Sequence, residues 1–245
     1  MRTLFLLFLL ACVPPAEDAA ATAIDPASLV LPSSTTAVPA NEDLPTVILT
    51  KAKLIVVGVP HASIATPIGI EYMNGPLIEP LQQWLKDPSI HGHDVAVAFD
   101  SDVKAETAME VMATCLDAGM NVFHLAVSRE GTTAQIPLEF GRPERADARP
   151  LTASVFAGGV VLKVPEGTVG PGCENLGGGV AVSRLDGLID RDRLARCVAQ
   201  VHAAHTTNTA SLLVTKDTEF HEIVTLLDAI RKNAGTDAIS LGISD

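Results

Sequence analysis

The residues best suited to chemistry are two histidines in the first half of the chain. His91 and His93 flank a glycine and are followed by Asp94, while His61 stands upstream as a further candidate ligand. Two imidazoles and a carboxylate can bind zinc when they converge on one point. A His-Gly-His sequence directly before an apolar run is more typical of a loop that leads into a strand. His91 and His93 are therefore weak metal candidates, and we expect a loop there.

A glycine-rich stretch in the second half also lacks a catalytic arrangement. GPGCENLGGG, residues 170–179, has no Lys-Ser/Thr pair of a phosphate-binding loop and predicts a long connection between strands. Cys173 within it has no accompanying His and acid that would activate a nucleophile. His221 and Glu222 are expected on the exposed face of the last helix. We predict that the protein is not an enzyme and that it needs no cofactor.

The first eleven residues indicate export. One Arg precedes an apolar run from Leu4 to Ala11, which is too short to span a bilayer but suits a secretory signal over residues 1–11. The sequence Leu9-Leu10-Ala11-Cys12 resembles the lipobox of bacterial lipoproteins, which implies cleavage before Cys12 and acylation of that residue. The alternative is an ordinary signal with an incidental cysteine. Val13 after the cysteine favours the outer membrane by the sorting habit of lipoproteins.

Composition restricts the partners of the exported chain. Residues 12–45 are rich in Ala, Pro, Ser and Thr without an apolar period, which predicts a flexible tether. The formal net charge is −12 and no Lys/Arg cluster occurs, so nucleic acid is excluded as a partner and the lipid is the only expected membrane contact. Disulfides persist outside the cytoplasm, and we expect Cys173 and Cys197 to pair while Cys115 is buried.

The remaining residues contain the same pattern of elements twice, which predicts a tandem repeat. When Asp102 is aligned with Asp217, five apolar positions of one helix match five of the other without a gap: Ala108, Met109, Val111, Met112 and Cys115 against Ile223, Val224, Leu226, Leu227 and Ile230. Both aspartates are predicted helix N-caps. Each half reads strands, helix, strand, helix, strand. We predict an α+β fold of two tandem small domains, residues 46–138 and 151–245, joined by a linker over 139–150. Each domain is a mixed β-sheet with two helices on one face.

The repeated unit resembles the periplasmic domain of the ExbD/TolR family of biopolymer-transport proteins. In the first half Asp102, Glu110-Val111-Met112 and Gly119 fit the family pattern, although Ala105 replaces its aromatic residue. In the second half Asp217, Phe220, the run from Leu227 to Lys232, and Gly235 fit more closely. The family begins with a transmembrane helix that carries a proton-conducting aspartate, whereas this chain has only the short signal. The resemblance thus implies the fold without the proton chemistry.

Two classes of function remain. The resemblance implies a non-catalytic cell-envelope lipoprotein that binds proteins of a Ton/Tol-like system or peptidoglycan. Its expected contact is the C-terminal edge strand, residues Ala238, Ile239, Ser240, Leu241, Gly242 and Ile243. The alternative is a periplasmic lipoprotein that binds a metal or another small ligand.

Overall fold

The structure is a computed structural model of the chain and describes residues 29–51, 53–57, 66–68, 77–139, 147–236 and 238–244. The predicted signal, Cys12, His61 and most of the linker lie outside these residues. Within them the prediction of an α+β fold with two small mixed-sheet domains is confirmed. We call the two domains the first and the second repeat.

The first repeat is a mixed sheet with two helices. The strands are β1 (Val38–Pro39), β2 (Thr46–Leu49), β3 (Leu54–Val57), β4 (Thr66–Ile68), β5 (Asp94–Phe99), β6 (Val122–Arg129) and β7 (Thr132–Glu139). The helices are α1 (Glu79–Leu85) and α2 (Ala105–Asp117). The strand order is β1-β7-β6-β5-β2-β3-β4, with β5 parallel to both β2 and β6.

The second repeat has the same central strands in the same order. Its strands are β8 (Pro150–Phe156), β9 (Gly159–Val164), β10 (Gly167–Thr168), β11 (Val182–Leu185), β12 (Leu188–Ile189), β13 (Thr209–Val214) and β14 (Ile239–Ile243). Its helices are α3 (Arg191–His205) and α4 (Phe220–Ala234). The order β9-β8-β13-β14 reproduces β3-β2-β5-β6, including which pairs are parallel.

Local sequence explains the shared elements. Residues alternate between buried and half-buried along β6 and β13, as expected of strands with one face on a core. The predicted apolar stripes of α2 and α4 are buried, and α4 ends at Gly235 in the left-handed conformation that a helix C-terminus favours. The buried apolar residues of both repeats form one continuous cluster. Among the described helices, none is long and apolar enough to cross a membrane.

The described part of the predicted tether is ordered against the repeats, so the prediction of a flexible segment is wrong for residues 29–45. Residues 29–39, which we call the strap, hydrogen-bond to both repeats. Ser34 N donates to Ser128 O in the first repeat (2.9 Å), and Thr35 N donates to Asp228 Oδ2 in the second (2.6 Å). Ala37 is 1% exposed. The composition of the segment is that of a linker, but its serines and threonines hydrogen-bond to polar groups distant in sequence.

Candidate functional site

The two repeats meet where α2 and α4 begin. Ala105 N donates to Thr218 O (2.8 Å), and Phe220 N donates to Val103 O (2.8 Å). A second pair of bonds runs from Glu106 N to Lys216 O and from His221 N to Ser101 O, at 3.1 and 3.0 Å. Each bond joins residues that are equivalent, after exchange of the repeats, to those of its mate. The junction therefore has a local two-fold pseudosymmetry.

The predicted N-caps are wrong. The residues that precede the helices are Lys104 and Glu219, and neither helix has a side-chain cap. The first N–H groups of a helix need acceptors from outside it. Here these acceptors are main-chain carbonyls of the other repeat, so Asp102 and Asp217 are not needed as caps. Asp102 instead forms an ion pair with Lys51, and this hydrogen bond holds the pKa of Asp102 below its usual range.

Opposite charges occupy the centre of the junction. Lys104 and Glu219 are equivalent residues and form an antiparallel bridge, and Lys104 Nζ lies 2.8 Å from Glu219 Oε1. At the same junction the rings of Phe99 and Phe220, both buried, pack edge to face with centroids 4.8 Å apart. Such a pair stabilises by about 1 kcal/mol beyond its buried area. Lys104 and Glu219 thus meet on the pseudo-two-fold axis of the junction. Two identical repeats would place two lysines or two glutamates there, so the charges favour pairing of a first repeat with a second.

One group of potential metal ligands occurs among the described residues, and it is not the predicted one. Asp102, Glu219 and His221 place ligand atoms within 4.8 Å of one another at the junction. Lys51 and Lys104 already pair with the two carboxylates, and the positive end of α4 further disfavours a cation. His93 Nδ1 lies 2.9 Å from Gly119 O. The described residues do not bring His91 and His93 together with a third ligand.

The expectation that His221 and Glu222 lie on an exposed face is wrong. Glu222 is 6% exposed and forms a two-point ion pair with Arg184 of β11, in which Nη2 lies 2.9 Å from Oε2. The hydrogen bond to Glu222 raises the pKa of Arg184. His221 is half-buried, with Nδ1 3.2 Å from Ser101 O. The partner of Glu222 lies 38 residues away, so helical spacing alone could not reveal it.

The structure contains the predicted disulfide. Cys173 and Cys197 are bridged, with their Cα atoms 5.2 Å apart, and the bond ties the glycine-rich loop to α3. Cys115 is buried on α2 as expected, and burial raises the pKa of its thiol to about 12. A thiol in that state is inert at neutral pH. The disulfide is consistent with an extracytoplasmic protein.

The predicted edge strand lies at the edge of the second sheet. β14 pairs with β13, and it is the last strand of the order β12-β11-β9-β8-β13-β14. The other three terminal strands in the described part of the sheets are blunted: β1 and β12 have two residues each, and β4 contains Pro67. β14 has five residues without a charge or a proline. An edge without such protection presents free main-chain groups on which another strand can pair.

Comparison of the chain with protein-family models and with curated proteins gives no match.

Proposed function

We propose that this chain is a non-catalytic, lipid-tethered component of the bacterial cell envelope that holds a partner at the edge of its second sheet. The observation that carries the proposal is β14, an unprotected edge strand in a protein whose other described edges are blunted. Main-chain groups on such an edge bind an extended segment without needing a catalytic residue.

The direction of the free groups is defined by the pairing with β13. Ser244 N donates to Val214 O at 2.9 Å. Because N–H groups point alternately to the two sides of a strand, those of Leu241 and Ile243 point away from β13. Ile243 is 40% exposed. The edge therefore offers two outward donors beside an apolar side chain.

The resemblance to the ExbD/TolR family supports an envelope role, and the lipobox-like sequence ending at Cys12 supports attachment to a membrane. Under this proposal the partner is a protein of a Ton/Tol-like system or peptidoglycan, and the chain carries no protons itself. The buried junction fixes the two repeats as a pair within one polypeptide. Relatives of the resembled family obtain such a pair from two chains.

Two experiments test the two halves of the proposal. Mass spectrometry and detergent partitioning of the exported protein test the anchor, and Cys12→Ser should yield an unacylated, soluble product. Equal detergent partitioning of that variant would overturn the lipoprotein assignment. Crosslinking in envelope fractions tests the edge: deletion of residues 238–245 should remove the crosslinked partner. Because the deletion also removes the pairing with β13 and should destabilise the second repeat, unfolding is measured alongside. A folded deletion variant that still captures the same partner would exclude the edge.

A further inference from the structure

The first repeat shows what the open edge of the second repeat lacks. β6 and β14 are equivalent, because Val95 pairs with Phe123 as Ala210 pairs with Ile239. β6 is covered by β7, an antiparallel strand that pairs with it along its whole length. In the described residues no strand covers β14 in this way. The second repeat therefore has a vacant strand position.

Side-chain exposure agrees with this vacancy. Phe123, Leu125 and Val127 of β6 are all 0% exposed. The equivalent residues of β14 are Ile239, Leu241 and Ile243, which are 4% exposed, half-buried and 40% exposed in that order. The apolar positions are thus retained in β14, but exposure increases toward its end. An added strand would bury Leu241 and Ile243 as β7 buries their counterparts.

The pseudosymmetry indicates which residue of the first repeat lies beside the vacant strand position. β7 also contacts the other repeat, because Arg231 Nη1 of α4 donates to Pro137 O of β7 at 3.1 Å. The equivalent of Arg231 on α2 is Leu116, which is 38% exposed, and α2 contacts β14. Exchange of the repeats therefore places Leu116 beside the vacant position. A guanidinium that binds a main-chain carbonyl is replaced there by an apolar side chain.

We propose that β14 and α2 form a composite groove that binds an extended segment of a partner protein as an antiparallel strand. The register of β7 on β6 defines the expected fit: apolar residues stand opposite Leu241 and Ile243, as Ile136 and Ala134 stand opposite Leu125 and Val127. A further apolar residue lies against Leu116. The groove needs both repeats, so the second repeat alone lacks the side that Leu116 forms. This inference rests on the proposed role of the edge and makes its partner an apolar β-strand.

The probe for this groove is the peptide TTAQIPLE, the sequence of β7 itself. Added to the isotope-labelled mature chain, it should shift the amide signals of residues 239–243 and the methyl signals of Leu116. Leu116→Lys should weaken binding at least tenfold, since a desolvated charge would replace an apolar contact. Ile243→Pro should abolish binding by removing an outward donor, whereas Ile243→Ala retains that donor. Leu176→Lys is the matched control for Leu116→Lys, because Leu176 is similarly exposed (45%) but lies on the glycine-rich loop and not on α2 or β14.

A grafted strand removes the dependence on peptide affinity. Residues 130–139, which begin with the natural β6–β7 turn Glu130-Gly131, are appended after Asp245, because position 245 corresponds to Arg129 in the register that makes β14 equivalent to β6. The local concentration of the grafted strand is then roughly millimolar. Hydrogen exchange at Leu241 and Ile243 should slow at least tenfold, and Leu116→Lys should reverse this. A graft that leaves exchange unchanged would overturn the proposal. So would a concentration-dependent dimer of the wild-type chain that Ile243→Pro dissolves, since the occupant would then be a second copy. The crosslinked envelope partner would survive Leu116→Lys if only the groove assignment were wrong.

Discussion

The two repeats share one fold but are stabilised by different means. The first repeat extends its sheet with β7 and β1 and is bound by the strap, and no disulfide occurs in its described residues. In the described residues of the second repeat no strand follows β14 in the sheet, but this repeat has the disulfide and the ion pair between Arg184 and Glu222. The disulfide and this ion pair both lie on the side of the second repeat that carries β11 and the glycine-rich loop. Its opposite edge stays open without loss of the fold.

Removal of the disulfide is expected to have the largest effect on the relative stability of the two repeats. The bridge spans 24 residues, and chain entropy predicts that closing such a loop stabilises by about 3.5 kcal/mol. Replacing Cys173 and Cys197 by Ser should lower the free energy of unfolding of the second repeat by that amount. Trp84 is the single tryptophan and lies in α1, so its fluorescence follows the first repeat while circular dichroism follows both.

We expect the circular-dichroism midpoint in urea to fall below the fluorescence midpoint in the double variant. Wild-type protein treated with a reductant is the matched comparison and should behave in the same way. If both signals shift together, the repeats unfold as one unit, and the disulfide stabilises the pair and not the second repeat alone.

The buried ion pair comes next in size. Glu222→Gln should cost about 3 kcal/mol, because it leaves a largely buried guanidinium without its carboxylate. Combining Arg184→Met with Glu222→Leu should recover most of that loss, since both charges are then removed. The equivalent position in the first repeat is Thr107, and Thr107→Val should change stability by less than about 0.5 kcal/mol. Urea denaturation measures these three variants together with the single changes Arg184→Met and Glu222→Leu, and additive losses in the double variant would contradict a direct pair.

Much of this architecture follows from local sequence, and the rest depends on distant contacts. The apolar stripes of α2 and α4 and the repeat of strand, helix and strand predicted the shared fold. Glu222 was misplaced because helical spacing around it does not reveal Arg184 on another strand. The N-caps were misplaced because carbonyls such as Thr218 O come from the other repeat. Local patterns cannot show an acceptor that arrives from more than 100 residues away.

The strap and strand β7 are two whole segments whose structure could not be predicted from their own sequence. Residues 29–45 have the composition of a tether, but the strap hydrogen-bonds to residues distant in sequence, among them Ser128, Arg129 and Asp228. β7 alternates weakly and contains Pro137, which disfavours a strand in the middle of a sheet. The edge strand β14 was predicted because it is the last strand of the second repeat, a position from which a sheet edge can stay open. The part of the groove on α2 became visible only through the pseudosymmetry.

The two repeats also differ at the position that binds the strap. Asp228 accepts hydrogen bonds from Ser34 Oγ (2.6 Å), Thr35 N (2.6 Å) and Thr36 Oγ1 (2.7 Å), whereas its counterpart on α2 is Ala113. Asp228→Ala should cost about 2 kcal/mol, as expected for lost hydrogen bonds to a charged group. Hydrogen exchange of residues 33–37 should increase at least tenfold. Ala113→Gly is not suited as a control because it loosens the helix, so Ala113→Ser serves instead and should leave the strap protected.

The smallest expected effect lies on the axis between the repeats. Lys104→Glu would place two carboxylates there, and Glu219→Lys would place two ammonium groups. Both side chains are about half exposed, so each single change should cost only about 0.5–1 kcal/mol. The double exchange restores opposite charges in reversed order and should recover the wild-type stability. Because exposed charges are screened, the coupling measured in low salt should largely vanish in 1 M salt.

The double exchange of Lys104 and Glu219 tests whether these charges select the pairing of the two repeats. If the axial charges select a first repeat for a second, the reversed pair will be as stable as the wild type, while in either single variant the junction will open a few times more often, as a cost of about 0.5–1 kcal/mol implies. Hydrogen exchange at the amides of Ala105 and Phe220 reports that opening directly, since both donate across the junction. A double variant that remains as exchangeable as the singles would show that Lys104 and Glu219 do not act as a pair. The four main-chain bonds and the ring contact between Phe99 and Phe220 would then hold the repeats together without charge selection.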